Sequence, residues 1–409
     1  MEAWPQPALP RLPGSGEPLN LFNTATQQIE RSTSGKDARM YVCGITPYDA
    51  THIGHANTYV AFDLINRVWR DSGITVHYVQ NVTDIDDPLL ERAVATGQDW
   101  RAIADRETAL FREDMTALNV LPPEHYIGAV ESIPSVAQYV EQLQTAGHVY
   151  AVGEDLYFKV RNDPKFGQVG RLSDNEMRSI FGERGGDPDR EGKQDPLDCL
   201  VWQSARPDEP AWDTILGHGR PGWHIECCAI ALDYLGPTID VQGGGSDLIF
   251  PHHEMSASEA QLISGEPMFA RCYVHSGMVS WQGHKMSKSR GNLVFVSTLR
   301  NEGVDPRAIR LALLAHHYRS NWSWTPHGLE GAQERLQLWL EAANLAKAPD
   351  VLPLITRIRQ HLANDLRTPE ALDAIDTYAR TAIESGGDSA DAAALFADAT
   401  DALLGINLR

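Results

Sequence analysis

One stretch, residues 40–83, limits the folds open to this chain more than any other. Met40, Tyr41 and Val42 form a short apolar run that ends at Cys43, where Gly44, Pro47 and Asp49 break it. From about Thr51 the pattern changes. Ala56, Tyr59, Val60, Leu64 and Val68 recur on one face at helical spacing, and Thr51 stands where an N-cap belongs. After Gly73 comes the β-branched run ITVHYVQNVT at 74–83. Strand, helix, strand in that order is the opening unit of a parallel sheet, and such sheets collect ligands at the carboxyl ends of their strands. Cys43, Gly44, Asn81 and Thr83 are expected to meet there. His52, Gly54 and His55 fall on the first helical turn, where unpaired N–H groups and the helix dipole favour an anion and the glycine lets a ligand come close. A solvated first turn would use the same residues, so the motif alone leaves both readings open.

The bulk numbers bound the rest. At 409 residues the chain has room for two or three domains. Its apolar runs fall well short of the ~20 residues a membrane span requires. The proline-rich start, MEAWPQPALPRLPGSGEP, has no basic segment followed by an apolar one, so no secretory signal is expected and a cytoplasmic location is. Asp and Glu number 55 against 35 Lys and Arg, a net charge of −20, which weighs against a broad nucleic-acid-binding face. Five cysteines, Cys43, Cys199, Cys227, Cys228 and Cys272, are too few and too scattered for a disulfide framework, and in a reducing compartment some are available as metal ligands.

Three regions are expected: an arm at 1–38, whose apolar patch Leu19 to Phe22 suits a sheet edge; an α/β catalytic domain at 39–330 with an insertion at about 95–215; and an α-helical bundle at 331–409. Asp84, Asp86 and Asp87 look like an acidic cluster but read better as caps and an acidic first turn for the helix begun by Pro88. Residues 100–148 read as helices and 151–160 as a strand. The segment 182–198, with four glycines and mixed charges, reads as a mobile loop suited to a polar ligand or simply to the surface. A helix opens at Trp223 and runs through Leu235, a strand at 239–241 leads into a glycine loop at 243–245, another strand spans 273–279, and 283–289 is an exposed basic loop. Past residue 330, apolar residues at helical spacing such as Leu336, Trp339 and Leu340, and the start at Thr368 and Pro369, mark helices. There 7 Lys and Arg face 12 Asp and Glu, leaving no basic surface for an RNA.

Two sets of residues carry chemistry. Cys43, Cys227 and His252 have no CxxC spacing, and His253 begins no HExxH motif because Ala257 stands four places on, so spacing favours buried thiols over ligands. Their convergence on one sheet edge favours a metal. Two cysteines and a histidine leave a tetrahedral position open, as a substrate-binding site requires. A thiolate would fill it and a hydroxyl of similar shape would not, so cysteine would be chosen over serine through a bond. Cys228 is the neighbour most easily mistaken for a ligand; Cys199 and Cys272 read as core thiols. His52 and His55, with Lys285 and Lys288, are the donors an ATP triphosphate needs while a carboxylate attacks its α-phosphorus, because charge grows on the oxygens in that transition state. An ordinary basic surface loop has the composition of 285–289 as well.

HIGH at 52–55 followed by KMSKS at 285–289 resembles the class I aminoacyl-tRNA synthetases. With YVCGITPYD, NVTDIDD, GWHIEC and GGGSDLIFPHHE, the chain is similar to the cysteinyl-tRNA synthetases over about residues 40–330. The resemblance implies a Rossmann-type nucleotidyl-transferase fold with an inserted subdomain and a helical C-terminal domain. It also implies one Zn2+ per chain on Cys43, Cys227 and His252, gripping the substrate thiol, and ATP as substrate with Mg2+. In that family a glutamate four places after the histidine completes the zinc site, whereas Ser256 stands there in this chain, and an acidic helical tail replaces the longer basic C-terminal region. ERGGDP at 183–188 and KMSKSRGN, with Arg290, look like the cysteine ligases of mycothiol biosynthesis, and this resemblance spans essentially the whole chain.

That resemblance implies two steps. L-Cysteine and ATP give cysteinyl adenylate and pyrophosphate, with His52, His55, Lys285 and Lys288 on the phosphates; the amine of glucosaminyl-inositol then attacks, forming an amide and releasing AMP. Cys43, Gly44, Ile45, Thr46, Thr58, Asn81, Val82, Thr83, Trp223, Gly245, Ser246, Asp247 and Val279 are implied to line the adenylate. Asp49 and His55 are the candidate bases for the amine. A monomer acting on small molecules, without nucleic acid or membrane, is expected. Two other readings stay open. One is a cysteinyl-tRNA synthetase without a full anticodon-binding domain, against which the tail and Ser256 count. The other is a non-catalytic nucleotide-sensing relative, against which the intact HIGH and KMSKS count.

Overall fold

The computed structural model describes residues 1–286 and 291–409. At its centre five strands run parallel in the spatial order Ala270–Ser276, Ile239–Gly245, Asp37–Val42, Thr75–Val82, His125–Gly128. The first of these in the chain, Asp37–Val42, has the next two on one side and the last two on the other. The sheet therefore grows in opposite directions from Asp37–Val42 and Ile239–Gly245, and the segments leaving these two strands diverge to open a crevice at their carboxyl ends. Pairing of Val42 with Gly243 sets Cys43 beside the glycines at that crevice. The expected strand, helix, strand unit is present as Asp37–Val42, Ile53–Asp71 and Thr75–Val82. The helix is buried along most of its length, from Ile53 and Ala56 to Val68 and Trp69, because the sheet covers one side and C-terminal helices the other.

The structure corrects several local expectations. His125–Gly128, inside the stretch read as helical, is the fifth strand, with Asn81 paired to Ile127. The strand's four residues, set between the helices Trp100–Ala117 and Ala129–Thr145, are too few to show a period of their own. The segment read as one strand at 151–160 covers the turn and second strand of a hairpin, Val149–Val152 with Asp155–Phe158, and ends in a 3-10 turn at Val160; the hairpin joins Cys199–Ser204, Gly217–Pro221 and Trp212–Thr214 in a second, antiparallel sheet. Gly243, Gly244 and Gly245 are not a loop but the end of the strand. A Cβ on Gly243 would lie 2.1 Å from the Phe62 ring, so helix-to-sheet packing demands the glycine. The segment read as one strand at 273–279 is divided between Ala270–Ser276 and Val279–Trp281.

The N-terminal patch forms its own hairpin, Asn20–Asn23 with Gln28–Arg31. It docks on the edge strand Ala270–Ser276, where the Thr24 amide donates to the Tyr273 carbonyl at 2.9 Å. Past residue 325 the helices Pro326–Ala343, Leu352–Ala363, Thr368–Ser385 and Ala392–Leu404 pack together, with Trp339 fully buried and its indole N–H donating to Asp376 at 2.7 Å. The N-cap of the third is Arg367, one residue before Thr368. No helix among the described residues is long and apolar enough to cross a membrane.

Candidate functional site

The helix at the crevice is capped by His52 and not by Thr51. His52 Nδ1 accepts from the amides of Gly54 (3.0 Å) and His55 (3.4 Å), an imidazole doing what a serine or aspartate oxygen usually does. A Cβ on Gly54 would fall 2.8 Å from the His52 ring, so this glycine makes room for the capping side chain, and it also lies on a cavity wall, where a ligand can approach it. The His52 and His55 rings stack with centroids 3.8 Å apart.

Both histidines line a cavity of about 280 Å³ together with Cys43, Gly44, Ile45, Thr46, Thr58, Trp223, Gly245, Asp247 and Val279. Asn81, Val82, Thr83 and Ser246 are not on its wall. Asn81 and Thr83 stand behind it. The Asn81 side-chain oxygen accepts from the Gly44 amide (2.8 Å), its NH2 donates to the Thr83 hydroxyl (3.1 Å), and the Thr83 amide donates to the Ile45 carbonyl (2.9 Å). A Cβ on Gly44 would overlap the Asn81 carbonyl oxygen at 1.6 Å, which explains that glycine. Sequence reading missed Tyr48, Tyr59, Leu248, Met278 and Met286 on the wall, because their only signal is that of ordinary core residues. Asp49 lies off the wall, with a carboxylate oxygen accepting from the Ala50 amide at 3.1 Å. Lys285 lies in the strand His284–Lys285, paired with Ser280, next to the wall residue Val279. Lys288 and Arg290 lie outside the described residues.

Beyond the wall residue Cys43, ligand atoms of Cys43, Cys227 and His252 lie within 4.8 Å of one another, all buried. They come from the end of the first sheet strand, the first turns of the helix Trp223–Leu235, and the turn after the glycine strand. Cys228 is outside the group, and Cys199 and Cys272 are buried elsewhere. His224 Nδ1 holds His252 Nδ1 at 3.0 Å, while His252 Nε2 is buried and has no hydrogen-bond partner among the described residues. The Trp223 ring stacks on His252 at 4.2 Å. Cys43 Sγ contacts His253 Nε2 (3.2 Å), His253 Nδ1 contacts His275 Nε2 (2.7 Å), and His275 Nδ1 contacts the Thr24 hydroxyl (2.7 Å). Burial pushes His224 and His253 well below the ordinary imidazole value and His275 down to about 3, so these rings are neutral. Burial opposes ionisation of Cys227, but the adjoining Cys43 and His252 outweigh it and pull its thiol well below the usual range; Cys43 rises, from burial and then from Cys227. Two soft thiols, one polarised toward thiolate, and an imidazole nitrogen lacking a partner are the donor chemistry of a metal site with a position open. Ser256, where the cysteinyl-tRNA synthetases carry glutamate, turns its hydroxyl to backbone, its one proton shared between the His252 (2.8 Å) and His224 (3.1 Å) carbonyls.

The acidic stretch at 84–87 acts as its capping reading expects. Asp86 caps the helix Asp87–Thr96, and Asp84 accepts from the Val130 amide (2.9 Å) at the start of the helix Ala129–Thr145.

Residues 29–334 match the family model of the tRNA synthetases class I (C) catalytic domain. Over the full length of both chains, the protein is 61% identical to the L-cysteine:1D-myo-inositol 2-amino-2-deoxy-alpha-D-glucopyranoside ligase of Kribbella flavida and 59% identical to that of Rhodococcus erythropolis. The chain belongs to this ligase family. Membership of the ligase family extends through the acidic helices past residue 334, beyond the segment that the catalytic-domain model matches. The ligase family shares its fold with class I synthetases of known structure. Mycobacterium tuberculosis methionyl-tRNA synthetase in complex with methionyl-adenylate superposes with a TM-score of 0.63 at 15% identity, covering 90% of each chain. A leucyl enzyme from Agrobacterium radiobacter K84 reaches 0.65 at 11% identity, covering 92% of this chain and 84% of its own. At such identities the likeness shows the fold alone.

Proposed function

We propose that this chain activates L-cysteine with ATP as cysteinyl adenylate and pyrophosphate, and transfers the cysteinyl group to the amine of 1D-myo-inosityl 2-amino-2-deoxy-α-D-glucopyranoside, giving an amide and AMP. The observation that carries this reading is full-length identity of about 60% to ligases so named. The cavity supports it, with Cys43 of the thiol and imidazole cluster and a histidine pair on a helix start both on its wall.

Cys43, Cys227 and His252 would hold one Zn2+, which when bound supplies a Lewis acid for the substrate thiolate. His224 orients His252 through Nδ1 and leaves Nε2 for the ion, and the His253 N–H supports the Cys43 sulfur. His52, its Nδ1 engaged by the cap, offers Nε2–H as a donor. With His55, Lys285 and Lys288, it stabilises the negative charge that grows on the α-phosphate while the cysteine carboxylate attacks. Mg2+ accompanies the ATP. In the second step the neutral amine forms a C–N bond to the carbonyl carbon, the C–O bond to phosphate breaks, AMP leaves with the electron pair and the amine loses a proton. We read residues 39–330 as the catalytic domain, 1–38 as an arm and 331–409 as a helical domain, in a cytoplasmic monomer with no nucleic-acid partner.

The test offers cysteine, ATP and either the sugar amine or tRNA. Cysteinylated sugar with stoichiometric AMP is expected. Cysteinyl-tRNA in its place would overturn the acceptor, and a lack of cysteine-dependent ATP–pyrophosphate exchange would overturn the chemistry altogether.

A further inference from the structure

The hexapeptide at 183–188 leaves the helix Asp174–Glu183 and is fixed at its far end on the second sheet. Asp187 accepts from the Tyr157 hydroxyl and from Lys193 Nζ, the latter at 3.0 Å. The Lys193 side chain is 2% exposed, donates also to the Pro196 carbonyl (2.8 Å), and lies over the Tyr157 and Phe181 rings. Gly185 turns the chain back with φ 87°, and the Gly186 amide donates to the Phe181 carbonyl at 2.8 Å. A Cβ on Gly186 would lie 2.4 Å from the Phe181 ring, so the reversal sits directly on that side chain. The segment expected to be mobile is thus tied down at several points.

From this clamp Arg184 reaches the other way. The two N–H groups of its Nη1 donate to the carbonyls of Asp247 and Phe250. Phe250 has extended angles, φ −137° and ψ 135°, inside an otherwise helical turn. The Glu254 amide takes the carbonyls of Ile249 and Pro251, whereas that of Phe250 is turned out to the guanidinium. The bracketed turn carries Asp247 on the cavity wall and, two residues past Phe250, the candidate ligand His252. We infer that Arg184 is a positioning residue: it transmits the rigidity of the anchored hexapeptide to the turn that sets Asp247 and His252, and the hexapeptide is a brace and not a substrate contact.

Amide hydrogen exchange on the full chain, with cysteine-dependent pyrophosphate exchange in parallel, tests this. Arg184→Ala should keep its melting temperature, because the arginine is exposed, yet exchange faster at 246–252 and not at 75–82. Its kcat/KM for cysteine should fall roughly ten- to hundredfold, the scale of an ~1 Å misplacement. Arg184→Lys should restore part of both. Asp187→Asn should act in the same direction more weakly, and the double variant should match Arg184→Ala, since the anchor acts only through the arginine. Unchanged exchange at 246–252 overturns the inference. So do faster exchange at 75–82 to the same degree, which marks a general loss of stability, and additive losses in the double variant, which mark a direct contact of the loop with substrate. The kinetic arm rests on the ligase reading. If the wild type does no pyrophosphate exchange, that reading fails while hydrogen exchange still decides the role of Arg184.

Discussion

Cys227 and Cys43 face the same point and shift in opposite directions: burial opposes ionisation of both, but Cys43 and His252 pull the Cys227 thiol down, whereas Cys227 adds to the rise of Cys43. Cys227→Ser is expected to leave the melting temperature nearly unchanged while zinc content falls and cysteine-dependent pyrophosphate exchange drops by about two orders of magnitude. Full exchange in that variant would remove the metal from the mechanism. His253 acts one bond further out. His253→Ala should weaken zinc by roughly ten- to hundredfold in a chelator competition, with His253→Gln, which keeps an N–H, in between. Cys43, Cys227 and His252 are nameable from sequence through their expected convergence on one sheet edge and through family likeness, since their spacing resembles no ligand motif. Neither spacing nor likeness marks the chain through His253, His275 and Thr24, which exists only once the N-terminal hairpin has docked on the edge strand.

Between elements, a buried charged tie runs from the helix Ile53–Asp71 to the end of the last helix. Asp63 is fully buried and accepts from Arg67 (2.7 Å), from Arg310 and from the Leu121 amide (2.8 Å). Burial pushes its carboxyl up, but the two guanidinium groups and the amide outweigh it and hold it below the usual carboxylate value. Arg310 also donates to the Leu404 (2.6 Å) and Leu118 (2.8 Å) carbonyls, and Arg67 to that of Asp401 (2.7 Å). Arg310→Ala should destabilise by about 3–5 kcal/mol, read as a lower denaturant midpoint, because it strips a buried carboxylate of a partner. Asp84 behaves in the opposite sense: burial raises its carboxyl from 3.8 to about 6. Between those pH values the unfolded chain releases a proton that the folded chain keeps, so stability is greatest below about pH 4 on this account and falls as pH rises toward 6, by about 3 kcal/mol. Asp84→Asn should flatten that part of the stability profile; an unchanged slope would assign it to other groups. The helix Ile53–Asp71 was legible because its apolar period is long, whereas the His52 cap was not, because the residue before the helix has a capping geometry that no composition rule assigns to histidine.

Over the whole molecule, the parallel sheet follows from its first strand, helix and strand, and the place of the cavity from the reversal of strand order. The second sheet was less visible, since its strands are short and separated by polar turns that hide their alternation. The N-terminal hairpin lines no part of the cavity, yet it has a say in the site. If a metal is held by Cys43, its sulfur is a thiolate and can only accept, so His253 would donate from Nε2 and accept at Nδ1, His275 would do the same, and Thr24 would be the last donor. The direction of every proton in that row is then dictated from both ends, by a sulfur in the interior and a hydroxyl on a half-buried hairpin. What reads as an appendage in the sequence is the outer terminal of a one-way circuit whose inner terminal is the sulfur of a candidate metal ligand, Cys43.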